Sequence, residues 1–172
     1  LASAIGARVP LSPRITLLML ALALASVFVT PYAYLAHDVA SVEHRDVHTW
    51  AMRIGGGLAI APVMLAVVVA MAGVRELPAI LRPLRSALWS SMALFALGGI
   101  IGVFISGNNV RIPAHYHGSI VGVTLALMGA VYLLLPRLGY GVADSRLARL
   151  QPVVYAVGQA MLVLPELLPG LG

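Results

Sequence analysis

Long stretches without a charged residue alternate with short polar segments along this chain, and they define five apolar segments. The segments cover approximately residues 15–36, 47–72, 86–106, 112–135 and 151–164. A helix needs about 20 apolar residues to cross the hydrocarbon core of a bilayer; the first four segments meet that length and the fifth is shorter. Only helices satisfy every backbone hydrogen bond within one such segment. The pattern therefore predicts an all-α, polytopic membrane protein with about five transmembrane helices.

Prolines and asparagines mark several of the predicted helix ends and interruptions. Asn108 and Asn109 are suited to cap the fourth helix, and Pro152 suits the start of the fifth. Pro31 and Pro62 fall inside the first and second segments. Because proline removes a helical hydrogen bond, we expect a kink at each of them.

Composition agrees with a membrane location, because only 10% of the residues are charged and 60% are apolar. Ordinary soluble domains carry about 25% charged residues. The absence of cysteine and lysine excludes disulfides, thiolate metal sites and Schiff-base chemistry. No repeat or linker indicates a second domain, so residues 1–172 are predicted to form a single transmembrane domain. The chain opens at Leu1 rather than at a methionine, which indicates either a cut end inside a longer protein or a processed terminus, and we expect the chain to be a portion of a longer subunit.

Arginines are distributed unevenly between the two sides that five spans would define. One side would hold eight of them: Arg8, Arg14, Arg75, Arg82, Arg85, Arg137, Arg146 and Arg149. The other side would hold only Arg45, Arg53 and Arg111. Because basic residues gather on the cytoplasmic side, the N-terminus is predicted to be cytoplasmic, in a bacterial inner membrane. This distribution explains the net charge of +5 through orientation, and it favours no nucleic-acid partner.

Two histidines, His115 and His117, stand two residues apart near the start of the fourth segment. A helix turns by about 100° per residue, so the two imidazoles leave opposite faces. Two imidazoles that bind one metal usually stand at i and i+4, so this spacing favours two separate partners. Neutral imidazole is a good ligand for haem iron and copper. The alternative is an interfacial pair that bonds only to water and lipid headgroups.

Three further histidines follow the first segment, on the side predicted to face outwards: His37, His44 and His48. Asp38 directly follows His37. His44 and His48 stand four residues apart and would share a face if they were helical. We interpret this region instead as a solvated loop of mixed charge, in which Arg45 pairs locally.

Small residues cluster in three of the apolar segments. The glycines are Gly55, Gly56 and Gly57 in the second, Gly98, Gly99 and Gly102 in the third, and Gly118 and Gly122 in the fourth. Small residues let helices approach closely, so this pattern predicts tight helix packing. A flat macrocycle lying against a helix is the alternative.

The fourth segment resembles the tenth helix of haem–copper oxidase subunit I. The resemblance rests on residues 112–126, IPAHYHGSIVGVTLA, and on residues 134–139, LLPRLG. In that family an Ala-His-x-His motif binds the high-spin, oxygen-reducing haem through its first histidine and the low-spin haem through its second. The resemblance therefore implies that His115 binds the high-spin haem and His117 the low-spin haem.

Residues 35–39, LAHDV, are similar to the end of the seventh helix of that family, where two adjacent histidines bind copper. The spacing onward to Pro62 fits the eighth helix. The resemblance implies that His37 is a copper ligand. Asp38, however, stands where the second histidine is expected, so copper is implied less strongly than the haems. The remaining haem and copper ligands of the family would lie outside this chain.

The resemblance implies an oxidoreductase: a terminal oxidase of the respiratory chain that reduces dioxygen to water as electrons pass from the low-spin to the high-spin haem. Its cofactors would be the two haems and copper. Its partners would be membrane lipid, the remaining helices of the same subunit, other oxidase subunits, and cytochrome c or quinol as electron donor. We expect this portion alone to be inactive, and we assign no catalytic residue within it.

Two alternatives stay open at this point. A nitric oxide reductase of the same superfamily has iron in place of copper, and a carboxylate such as Asp38 is a harder ligand that favours iron. A membrane module that binds haem or a partner without catalysis is the other alternative.

Overall fold

The computed structural model describes residues 1–105 and 110–167, and within those ranges the chain is helical and contains no strand. The helices are α1 (Pro13–Val27), α2 (Val29–Ala36), α3 (Val42–Ala51), α4 (Ile60–Ala72), α5 (Arg82–Val103), α6 (Arg111–Leu134) and α7 (Arg146–Val163). A π-helical segment, Met52–Leu58, connects α3 to α4. The predicted all-α class is confirmed.

Within residues 1–105 and 110–167, four helical stretches are long and apolar enough to cross a membrane. They are Pro13–Ala36, Val42–Ala72, Ala79–Val103 and Arg111–Leu138. The first four predicted segments therefore correspond to helices of membrane-spanning length. The fifth segment belongs to α7, which is not among these four, so the number of five spans stays a prediction.

Both mid-segment prolines lie just after an interruption in the helix. α1 and α2 are separated at Phe28, three residues before Pro31, because proline has no N–H to bond the carbonyl of the preceding turn. The widened π turn ends where Ala59 donates its N–H to the Ile54 carbonyl at 3.0 Å, three residues before Pro62. Each proline therefore follows an irregular turn, and the kinks expected at them stay predictions.

The start of the fifth helix was predicted wrongly. α7 begins at Arg146, where the Ser145 hydroxyl accepts the Ala148 N–H at 3.1 Å, and Pro152 lies inside the helix. Serine is a strong N-cap, and its signal outweighs the preference of proline for a first turn. Asn108 and Asn109, predicted to cap α6, lie outside the described residues.

Contacts divide the chain into two compact units. One consists of Arg8–Ala72 and is called here the α1–α4 unit. The other combines Leu1–Ala7 with Gly73–Gly172 and is called the α5–α7 unit. The single domain expected from the sequence stays a prediction.

In the α5–α7 unit, α5 and α6 are antiparallel neighbours. The close approaches pair Gly102 with His115, Gly98 with Gly118 and Ser119, Phe95 with Gly122, and Ala87 with Gly129. Residue numbers rise along one helix as they fall along the other. α7 runs parallel to α5, because the Ser86 hydroxyl donates to the Arg149 carbonyl at 2.7 Å near both helix starts. At the far end, Ile101 and Val163 share a buried cluster.

Glycine allows the contact between α5 and α6. A Cβ on Gly118 would lie 2.7 Å from the Cα of Gly98, and a Cβ on Gly122 would lie 2.8 Å from Phe95. Real Cβ atoms do not approach backbone this closely, so the prediction of tight packing is confirmed at these positions. Gly99 lies on the outer side of α5, where an added Cβ would meet no atom within 4 Å, and it takes no part in this contact.

Candidate functional site

His115 lies on the edge of the α6 face that packs against α5. Its neighbour Ala114 is completely buried, and Gly118 one turn later contacts Gly98. The half-buried His115 ring therefore points towards α5, where its Nδ1 lies 2.7 Å from the Gly98 carbonyl oxygen. A side chain on the first turns of α6 is thus held by the last turns of α5.

Gly102 provides the space for the His115 ring. A Cβ at Gly102 would lie 2.7 Å from His115 Nδ1 and 2.8 Å from Cε1. Gly98 and Gly102 are one helical turn apart, so the first provides the carbonyl that binds the ring and the second the gap in which it lies. Two of the glycines that the sequence marked for helix packing therefore also position a histidine.

The bond to Gly98 defines which nitrogen of His115 is free. A carbonyl oxygen can only accept, so Nδ1 must carry the hydrogen. In the neutral ring the Nε2 lone pair then remains available for a ligand. Histidines that bind metals commonly donate their other ring N–H to a carbonyl or carboxylate in this way. The arrangement suits a neutral imidazole that binds iron through Nε2.

His117 leaves α6 on the opposite side. It is exposed, as are Ile120 and Thr124, which lie on the same face of the helix. The prediction that the two imidazoles point in different directions is confirmed, because one ring packs on α5 and the other faces away from it. His117 forms no hydrogen bond with residues 1–105 or 110–167, so both of its ring nitrogens are free of protein partners there.

In the α1–α4 unit, His37 is the C-cap of α2 and Asp38 follows it. His37 is exposed, and its ring lies 5.9 Å edge-on from that of Tyr32. Asp38 Oδ1 accepts the Ala40 N–H at 2.8 Å, so one carboxylate oxygen stabilises the turn that leads to α3. The assignment of His37 as a copper ligand stays a prediction.

The region of His44 and His48 is helical, not the solvated loop that the sequence suggested. Ser41 caps α3 by accepting the His44 N–H at 3.1 Å. The two imidazole centroids lie 4.6 Å apart, and Tyr34 of α2 contacts the His44 ring edge-on at 4.8 Å. His44 is only 7% exposed. Ser41, a preferred N-cap residue, indicated this helix start in the sequence. The charged residues that follow it favoured the interpretation as a loop instead.

Polar atoms without a partner point to places where the described chain does not complete a hydrogen-bond network. His44 Nδ1, Gln159 Oε1 and Glu166 Oε2 are buried and have no hydrogen bond within residues 1–105 and 110–167. Gln159 and Glu166 are seven residues apart, on the same side of the chain as the buried Val163 between them. Buried acceptors of this kind normally bind water or a neighbouring group.

Across the described ranges, no group of three or more histidine, aspartate or glutamate side chains lies close enough to hold one metal ion. Haem iron is different, because it takes single axial histidines from the protein. His115 and His117 therefore fit haem iron better than they fit a shared ion.

No protein-family model matches this chain. It is 51% identical over 49 residues to the uncharacterized protein RP382 of Rickettsia prowazekii (strain Madrid E), a match that covers 28% of the chain. It is 29% identical over 96 residues, or 56% of the chain, to an uncharacterized protein of Aquifex aeolicus (strain VF5). The chain spans only 10% and 23% of the length of these relatives. No solved structure matches it.

Proposed function

We propose that this chain is a haem-binding portion of a subunit similar to subunit I of the haem–copper terminal oxidases. In this proposal His115 binds the high-spin haem and His117 the low-spin haem, from opposite sides of α6. The observation that carries the proposal is the 2.7 Å bond between His115 Nδ1 and the Gly98 carbonyl. It orients one imidazole within a membrane-length helix pair and leaves its Nε2 for a ligand.

A structural role alone explains this arrangement less well. A histidine inside a span is costly, and an alanine at position 115 would need neither the Gly98 carbonyl nor the gap at Gly102. Residue 102 is instead a glycine, and a Cβ at this position would collide with the His115 ring. His117, on the opposite face, has no protein partner within the described ranges. Two haems on the two sides of α6 would give each histidine an iron atom to bind.

When bound, the haems would supply the electron transfer and the reduction of dioxygen to water. The chain's contribution is positional. The Gly98 carbonyl accepts the Nδ1 hydrogen of His115 and so fixes the orientation of the ring, in which Nε2 is the nitrogen left for a ligand. The packed glycines fix the separation of α5 and α6, while α6 itself holds the two imidazoles two residues apart, a short connection between two redox centres.

The proposal also includes a second metal beside the high-spin haem, and the identity of that metal, copper or iron, is a finer question. His37 is offered as a copper ligand by resemblance alone. Asp38 in the position of an expected second histidine favours the alternative of a nitric oxide reductase, in which iron replaces copper. Metal analysis of the purified full-length protein for copper against non-haem iron separates these two functions.

We further infer that α7 is a fifth span, which agrees with the larger helix bundle of such a subunit. α7 runs beside α5 from the level of Ser86 to that of Ile101, a distance of about 22 Å along the axis. The N-terminus of the portion would then be cytoplasmic, in a bacterial inner membrane, with both α6 histidines towards the outer face.

Absorption and electron paramagnetic resonance spectra of the full-length protein test the haem assignment. His117→Ala should remove the low-spin signal and leave the high-spin signal, whereas His115→Ala should do the reverse. Tyr116→Phe is the matched control, because it alters the residue between the histidines and leaves both imidazoles. Unchanged spectra in both alanine variants would exclude haem ligation by α6 and, with it, the oxidase and the reductase.

A further inference from the structure

A pocket of about 1000 Å³ opens in the α5–α7 unit, at the end where α5 and α7 begin. Its walls come from the segment that precedes α5 and from the first turns of both helices. His115 contacts Gly98 and Gly102 near the other end of α5, so the pocket is separate from the proposed haem site. The axial distance from Ser86 to Gly98 is about 18 Å.

Four arginines line this pocket, Arg75, Arg82, Arg85 and Arg149, against a single carboxylate, Glu76. Arg85 and Arg149 are half-buried. None of the four side chains forms an ion pair or hydrogen bond with the described part of the chain. Unpaired guanidinium groups in a partly enclosed space repel one another, and an anionic ligand would remove that repulsion.

Neutral groups of the pocket also favour an anion. Ser90 lines it, is 9% exposed, and its hydroxyl has no hydrogen bond to the described residues. Since α5 and α7 are parallel, both direct the positive ends of their helix dipoles to this side of the unit. No side chain caps the N-terminus of α5. The unpaired Ser90 hydroxyl and the arginine guanidinium groups are donors of the kind that bind a phosphate group.

We propose that this pocket binds a phosphate group, and that the phosphate belongs to the headgroup of an anionic phospholipid. α5 is part of a stretch of membrane-spanning length that begins at Ala79, so the pocket lies at the level where a bilayer has its headgroups. Trp89 and Val153 add apolar surface for the start of an acyl chain. Basic pockets between helices on the cytoplasmic side of membranes recognise acidic headgroups in this way.

Trp89 offers a direct probe, because it lines the pocket and is 36% exposed. The full-length protein in neutral detergent is titrated with phosphatidylglycerol or phosphatidylcholine, each brominated near the headgroup end of its acyl chains. The part of the fluorescence quenching that is absent from a Trp89→Phe variant measures lipid binding in the pocket. Phosphatidylglycerol should quench Trp89 at a concentration at least about tenfold lower than phosphatidylcholine does.

Charge variants test the mechanism. Arg85→Gln and Arg149→Gln should each weaken phosphatidylglycerol binding about fivefold. Glu76→Gln should strengthen phosphatidylglycerol binding, and a misfolded variant would not show such a gain. Arg137→Gln is the matched control, because Arg137 is an exposed arginine at the same end of the unit that does not line the pocket.

Competition identifies the source of the phosphate. If inorganic phosphate or pyrophosphate displaces brominated phosphatidylglycerol at equal concentration, the pocket takes soluble phosphate as readily as lipid, and the headgroup assignment is wrong while the phosphate site stands. Equal quenching of Trp89 by both lipids, or no response to the Arg85, Arg149 and Glu76 substitutions, would overturn the site altogether. None of these results depends on haem, so they are independent of the proposed function.

Discussion

His115 owes its orientation to two residues of the neighbouring helix. Gly98 accepts its Nδ1 hydrogen at 2.7 Å, and Gly102 leaves the space for its ring. The same imidazole on an isolated helix would rotate freely about its side-chain bonds. The orientation of His115 is therefore a property of the α5–α6 pair and not of the His-Tyr-His motif alone.

Gly102→Ala should damage this arrangement. The added Cβ would lie 2.7 Å from His115 Nδ1, so the ring must move and the bond to Gly98 must lengthen or break. We expect a loss of about 1–3 kcal/mol in unfolding free energy in detergent. The high-spin haem signal should also shift, while the signal assigned to His117 stays.

Gly99→Ala is the matched control, a glycine of the same helix with open space around it. It should leave the spectrum unchanged and retain or raise stability by about 0.5–1 kcal/mol, because glycine is the poorer helix former. Equal effects of the two substitutions would show that Gly102 does not position His115.

At the scale of elements, helix starts and interruptions follow from short-range signals. Ser41 and Ser145 cap α3 and α7 through their hydroxyl groups, and Pro31 and Pro62 follow the two interruptions. The cap at Ser41 has a consequence for chemistry, because it converts the segment with His44 and His48 into a helix on which the rings lie 4.6 Å apart. The α1–α4 unit therefore has a histidine pair of its own, packed against Tyr34.

Ser41→Ala should loosen the first turn of α3. The Ala variant cannot accept the His44 N–H, and loss of a serine N-cap costs about 1 kcal/mol. Amide hydrogen exchange should accelerate over residues 42–45. Thr49→Ala in the same helix is the control: its hydroxyl only bonds the Arg45 carbonyl within the helix, so the change should stay within about 0.5 kcal/mol. Unaltered exchange in the Ser41 variant would mean that packing against α2 alone holds this turn.

At the scale of the whole molecule, the parallel arrangement of α5 and α7 separates the two proposed sites of the α5–α7 unit. The arginine-lined pocket lies where both helices begin, and the His115 site lies towards the end of α5. If α5, α6 and α7 all span, as we infer, the pocket is on the cytoplasmic side and the histidines are near the outer side.

Cysteine labelling tests this topology, because the chain has no cysteine of its own. Single cysteines are introduced as Gly141→Cys after α6, Val110→Cys before it and Leu164→Cys after α7. In intact cells a membrane-impermeant maleimide should label the cysteines at 110 and 164, and the cysteine at 141 only after lysis. Labelling at 164 together with 141 would refute a fifth span, and the reverse pattern would invert the predicted orientation.

The sequence by itself determined the helical class, the positions of four membrane-length stretches and the opposite directions of His115 and His117. These depend on composition and on the fixed rotation per residue of a helix, which are local properties. It failed at Pro152 and at His44, where a serine cap upstream set the helix start.

The tertiary structure alone decided which carbonyl holds His115, which glycines face a neighbour and which arginines share a pocket. Gly98 and Gly99 are adjacent and alike in sequence, yet only Gly98 faces α6. Arg85 and Arg149 are far apart in the chain and line one pocket because α5 and α7 run parallel. Register between helices depends on side chains from both partners at once, and no local pattern within one helix contains that information.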